Sequence, residues 1–155
     1  MRKPLIIILI TMGIFSNIFG AAEKKPIPNK TITLDQLEQM FESMKKTPEI
    51  DLKKPLLWGY FFTHTEPTML EKTKLILMKK GYRTVDIYLS DKEKPTDPNV
   101  YWLHVEKEEI HNPDSLDKLN DEFYLLANKL GLKSYDGMDV GPIKPLKPEM
   151  ENKSE

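Results

Sequence analysis

The sequence predicts an α+β domain in which strands and helices follow the order βαββαβ, with one further helix in front. Three observations predict it. Several short segments are bulky and aromatic or alternate apolar with polar residues, as strands do. Two longer segments between them repeat their apolar residues at helical spacing. Gly, Pro, Asp and Asn fall at the joints, where turns and caps need them. Two helices over one face of an antiparallel sheet would bury the alternating apolar residues. That order is the ferredoxin-like sandwich.

The front helix is read from "TLDQLEQMFESMKK". Thr33 followed three residues later by Gln36 makes a capping box. Leu34, Leu37, Met40, Phe41 and Met44 share one face, so this helix covers something. The first strand is "LLWGYFFTH", Leu56 to His64, and Pro67 then opens a helix that ends in lysines and Gly81. "YRTVDIYLS" alternates, with Val85, Ile87 and Leu89 set against Thr84, Asp86 and Tyr88. After the turn "DKEKPTDPN" a third strand sets Leu103 and Val105 against Trp102, His104 and Glu106. The last helix carries Leu116, Leu119, Phe123, Ala127 and Leu130 on one face and stops at Gly131, before a short strand from Tyr135 to Val140.

Residues two apart on a strand share a face. If Val85, Ile87, Leu103 and Val105 turn toward the helices, then Tyr82, Thr84, Asp86, Tyr88, Trp102, His104 and Glu106 line the second sheet face. Three occupants of that face are open: the front helix, laying Met40 and Phe41 over Trp102; a protein partner; or single-stranded RNA stacked on the aromatics. Few basic residues interleave with these rings, and Asp86 and Glu106 add negative charge, which argues against RNA. The residues expected to meet a partner are Trp102, His104, Tyr88 and Asp86. His104 and Glu106, with His64 or His111, make the candidate metal set; zinc needs three or four converging ligands. No cofactor and no metal are expected.

The start of the chain, "MRKPLIIILITMGIFSNIFGAAEKK", has a basic beginning, an apolar run from Leu5 to Phe15, and small residues at Gly20 and Ala22. That is the pattern of a cleavable signal peptide over residues 1–22, and it predicts a periplasmic or secreted protein without a stable membrane span. Ser16 and Asn17 cut the apolar run short of the roughly 20 residues a span needs. Residues 23–55 hold a linker and the front helix, residues 56–141 the domain, and residues 142–155 a proline-rich tail with prolines at 142, 145 and 148. The chain of 155 residues carries a formal charge of −1, and loss of Arg2 and Lys3 leaves the exported form mildly acidic. With no cysteine, disulfides, thiolate catalysis and Cys-type zinc sites are excluded.

Two segments carry a resemblance. "FFTHTEPTMLEKTKLILMKKGY" ends a helix in Gly81-Tyr82, and "LANKLGLKSYDGMDVG" runs a helix into Tyr135-Asp136-Gly137. Together they resemble the RraB family, whose named members inhibit ribonuclease E and regulate RNA decay. Met138 stands where that family usually has Trp. Asp-Gly is a turn or bulge dipeptide, so Asp136 is read as part of a shaping motif. The resemblance implies a non-catalytic regulator that binds a protein. With the leader, the reading is an exported inhibitor or immunity-type factor acting on an envelope partner. The alternatives are a cytoplasmic inhibitor of ribonuclease E, and a metal-dependent envelope enzyme using His104 and Glu106.

Overall fold

A computed structural model describes residues 25–144; the predicted leader and residues 145–155 of the tail lie outside it. The elements are α1 (Leu34–Met44), β1 (Leu56–His64), α2 (Pro67–Lys79), β2 (Arg83–Leu89), β3 (Tyr101–Glu109), α3 (Pro113–Leu130) and β4 (Ser134–Gly141). The strands form one sheet in the order β2-β3-β1-β4, and every neighbouring pair is antiparallel. This is the strand order of the ferredoxin-like sandwich. No helix among the described residues is long and apolar enough to cross a membrane.

Local chemistry fixes the helix ends. Thr33 and Gln36 close the capping box of α1. Asn112 and Ser115 close another at α3, where Pro113 takes the first helical position. After α2 and α3 the chain turns through Gly81 (φ 88°) and Gly131 (φ 66°), a left-handed conformation that favours glycine. Tyr82 N–H then reaches back to the Leu77 carbonyl, and Leu132 N–H to that of Ala127.

Alternation along β1 sends Trp58, Tyr60 and Phe62 into the core, where they meet Leu103 and Val105 of β3, Leu70 and Leu77 of α2, and Leu116 and Phe123 of α3. Phe123 sits edge-on to Tyr60, Phe62 and Tyr82 with ring centroids 5.0–5.6 Å apart. Burying a side chain such as Phe or Leu contributes about 1.5–3 kcal/mol each, so this layer holds the sheet and helices together.

The front helix does not lie on the second sheet face. It joins the helix layer beside α3, and Phe41 stacks on Trp58 at 6.1 Å, not on Trp102. The segment just before it is strapped to α3: Lys30 Nζ pairs with Asp117 at 2.7 Å and also with Asp121, and the Tyr124 hydroxyl meets Ile32 N–H at 3.2 Å. A flank so fastened brings its helix down next to α3, away from the opposite face.

Candidate functional site

The second sheet face is therefore uncovered by any described element, and its composition follows from strand register. Trp102 of β3 stands opposite Thr63 of β1 and Tyr88 of β2. His104 stands opposite Phe61 and Asp86, and Glu106 opposite Gly59 and Arg83. On the far side Asp139 of β4 faces Gly59. Phe61 stacks on His104 at 4.4 Å with 23° between the ring planes, and Trp102 stacks on Tyr88 at 6.5 Å with 18°. Phe61 and Trp102 meet at 6.0 Å, so four rings run in an unbroken strip across three strands.

Carboxylates border that strip. Glu106 pairs with Arg83 and lies 3.6 Å from His104 Nε2. Asp86, Asp136 and Asp139 have no ion-pair partner among the described residues. Burial raises the Asp139 carboxyl above its ordinary range; nearby Glu106 pushes the same way, while His104 and a hydrogen bond from the Gly59 backbone pull against it. Burial raises the Tyr88 hydroxyl too, helped by the charges of Asp139, Asp86 and Asp136. Among the described residues His104 Nε2 is out of contact with solvent and has no hydrogen-bond partner. Gly59 makes the crowding possible: a Cβ there would stand 2.3 Å from Asp139 Oδ1 and 2.7 Å from His104 Nε2.

Of the residues expected on this face, Trp102, His104, Tyr88 and Asp86 are brought together here, and Tyr82 and Thr84 are not. Strand β2 carries a bulge: Thr84 pairs with Val105 and Asp86 with the next residue of β3, His104, which leaves Val85 as the extra residue. Before the bulge Tyr82 turns into the core against Tyr60 and Phe123, and Thr84 stands opposite buried Val105. Val85 is 45% exposed as a result, and Leu89 is 49% exposed at the strand end, so neither joins the core as the alternation predicts. Sequence reasoning also did not place Phe61, Gly59 or Asp139 on this face, although Asp139 with Asp136 was open to reading as a working carboxylate or as part of a turn and short strand. The signal for Phe61 was present: if Trp58, Tyr60 and Phe62 face the core, period two puts Gly59 and Phe61 on the other side.

The Tyr-Asp-Gly segment forms a second bulge. Tyr135 pairs with Phe62 and Gly137 with Phe61, so Asp136 is the extra residue, and Gly137 adopts φ 104°. Tyr135 is buried and its hydroxyl donates to Asn120 Oδ1 at 2.6 Å. Asp136 stays at the surface beside Ser134.

The three histidines occupy three separate places, which breaks up the candidate metal set. His104 is on the open face, while His64 ends β1 and accepts from Glu66 N–H at 2.9 Å. His111 is on the helix side, edge-on to Trp58. Among the described residues no group of three His, Cys, Asp or Glu converges as metal ligands would. On that helix side lies a constellation the sequence did not suggest: Ser115 Oγ is 3.0 Å from His111 Nδ1, and His111 Nε2 is 3.1 Å from Glu109 Oε2. Its residue types are those of an acyl-transfer triad. Ser115 Oγ, however, is engaged with both the N–H and the carbonyl of Asn112 in the α3 capping box. Glu109 also accepts from the buried Tyr60 hydroxyl at 2.9 Å and pairs with Lys107 at 3.3 Å. These contacts fasten the corner between β3 and α3.

The model of the family described as Regulator of ribonuclease activity B, RraB, matches residues 34–140. The chain belongs to the RraB family. The match starts at the first residue of α1 and ends in β4, so the RraB region includes the front helix and all four strands. A search of curated proteins returned no match.

Proposed function

We propose that this RraB-family chain is a non-catalytic regulator that binds a protein partner through its open sheet face and restrains that partner's activity. The family description, a regulator of ribonuclease activity, supports regulation by protein contact and makes a ribonuclease the first partner to try. The observation that carries the choice of surface is the strip Tyr88, Trp102, Phe61 and His104, left uncovered while α1 packs elsewhere. Stacked aromatics on an open face are the usual anchors of protein interfaces. The leader adds that the partner lies in the envelope or outside the cell.

The test has two stages. Fractionation of a C-terminally tagged chain, with N-terminal sequencing of the product, fixes the compartment: a product beginning near Ala21–Glu23 in the envelope supports export. Affinity capture from that fraction, with wild type and Trp102→Ala side by side, should return a partner that the variant loses. Equal capture by both would remove the open face from the reading. The second reading, a cytoplasmic inhibitor of ribonuclease E, is favoured by the family match. An intact chain in the cytoplasm would make it the first, and purified chain leaving that nuclease unaffected at high micromolar concentration would end it.

A further inference from the structure

The open face has a charge pattern as well as a shape. Its carboxylates are Asp86, Glu106, Asp136 and Asp139, and the cation that register places among them, Arg83, is already paired with Glu106. Placing carboxylates near one another without counter-charge costs stability, and the burial of Asp139 adds to that cost. The rings they border present π faces, which attract cations. A polyanion such as RNA would meet these same carboxylates with its phosphates and be repelled.

We propose that the open face is an arginine-reading surface: a basic segment of the protein partner lays an arginine guanidinium on the Trp102–Tyr88 rings, where Asp86, two residues from Tyr88 on the same strand, accepts its hydrogen bonds and Asp139, on the opposite rim, adds to the negative field. This rests on the open face being the contact surface, and it specifies the chemistry of what is contacted. Arginine suits the geometry better than lysine because its planar head stacks on a ring while its edge donates in pairs to carboxylates. Lysine offers a compact, strongly hydrated charge that gains less from a flat aromatic surface. The complementary charges also predict fast, salt-sensitive association.

The experiment uses the full chain labelled with nitrogen-15 and a fluorescein-tagged oligoarginine peptide, with oligolysine and oligouridylate of matched length. The chain has two tryptophans, and they stand on opposite faces of the sheet, Trp58 in the core and Trp102 on the open side. Their indole N–H resonances therefore report the site and the integrity of the fold separately. Oligoarginine should shift the Trp102 indole and leave that of Trp58 in place, and should bind several-fold more tightly than oligolysine. Trp102→Ala should weaken oligoarginine about tenfold. Asp86→Asn with Asp139→Asn should weaken it comparably and flatten its salt dependence. Glu38→Gln with Glu42→Gln, on the far layer, should leave it unchanged. A persistent Trp58 resonance in each variant shows that the fold is intact, so a loss of binding is read at the site.

Failure to move the Trp102 resonance would overturn the proposal, as would equal binding of lysine or a Trp102 shift caused by oligouridylate. The two levels of the reading separate cleanly. A captured partner that Trp102→Ala loses, together with no response to oligoarginine, leaves the docking face standing and removes the arginine. Oligoarginine bound at Trp102, with a partner that Trp102→Ala retains, supports the arginine site and removes the docking face.

Discussion

Two clusters built from the same kinds of side chain lie on opposite sides of the sheet. On the helix side, Tyr60, Glu109, His111 and Ser115 pass hydrogen bonds from one to the next at 2.9–3.1 Å, and Lys107 adds its charge. On the open side, Tyr88, Asp139, His104 and Glu106 gather in a similar number, yet among the described residues His104 Nε2 has no hydrogen-bond partner, and Asp139 has nearby His104 and a hydrogen bond from the Gly59 backbone but no ion pair. The first cluster is complete within the chain and stabilises a corner of the fold. The second leaves a buried ring nitrogen unmatched, and Asp139 without an ion-pair partner, among the described residues. Residue type does not separate the two clusters; the state of their partners does.

The two tryptophans should separate the two sides by the largest margin. Trp58→Ala should lower unfolding free energy by about 3–5 kcal/mol, because it empties a core site under Phe41 and His111. Trp102→Ala should cost no more than about 1 kcal/mol, and its main effect should be on partner capture. Urea unfolding of both variants checks this, and equal costs would mean that the open face is part of the core. The carboxylates come next. Glu109→Ala removes the carboxylate that the Tyr60 hydroxyl and His111 share, leaving them only each other at 3.3 Å, and should cost about 1–3 kcal/mol. Glu106→Ala should stay within about 0.5 kcal/mol, since its partner Arg83 is 70% exposed.

The pH dependence of the two sides should have opposite sign. Burial acts to raise the Glu109 carboxyl, but hydrogen bonds from His111 and Tyr60 and the neighbouring charge of His111 outweigh it and hold the group below its ordinary 4.5. A carboxyl lowered by folding adds stability above its ordinary pKa, and that stability is lost as pH falls through the lowered value. The stability gap between wild type and Glu109→Gln should thus be widest near neutrality and close in acid. Asp139 behaves the other way: its carboxyl is raised above 3.8, so ionisation destabilises the fold as pH climbs through that window. Asp139→Asn should gain up to about 0.5 kcal/mol at neutral pH and nothing below the ordinary aspartate range. Thermal melts at several pH values measure both; a gain for Asp139→Asn in acid alone would reverse the assignment.

The order of elements and their ends were legible in the sequence. The Thr33–Gln36 box, the glycines after α2 and α3, and the face of α3 around Leu116 and Phe123 rest on short-range chemistry that a single segment carries. The misplaced features all depend on relations between segments. The bulge at Val85 is invisible to alternation, because an extra residue shows only against the partner strand, and it moved Tyr82 and Thr84 to the other face. The destination of α1 was equally hidden: its apolar stripe says that it covers something, while Lys30 and Tyr124 decide what. On the open face Trp102, His104, Tyr88 and Asp86 could be grouped from the pattern, but Asp139 joins them only through the pairing of β4 with β1.

The two bulges fall on β2 and β4, which are the two rims of the sheet. A rim with regular, unpaired backbone groups is a template on which a further strand can grow, and chains stack into aggregates that way. Here each rim is interrupted by one surplus residue, and the Asp136–Gly137 step bends the second of them. Bulges of this kind are one of the devices by which sheets blunt an edge against such growth. The same interruption shortens the regular edge on which an added strand could pair, while the flat of the sheet keeps its full row of side chains.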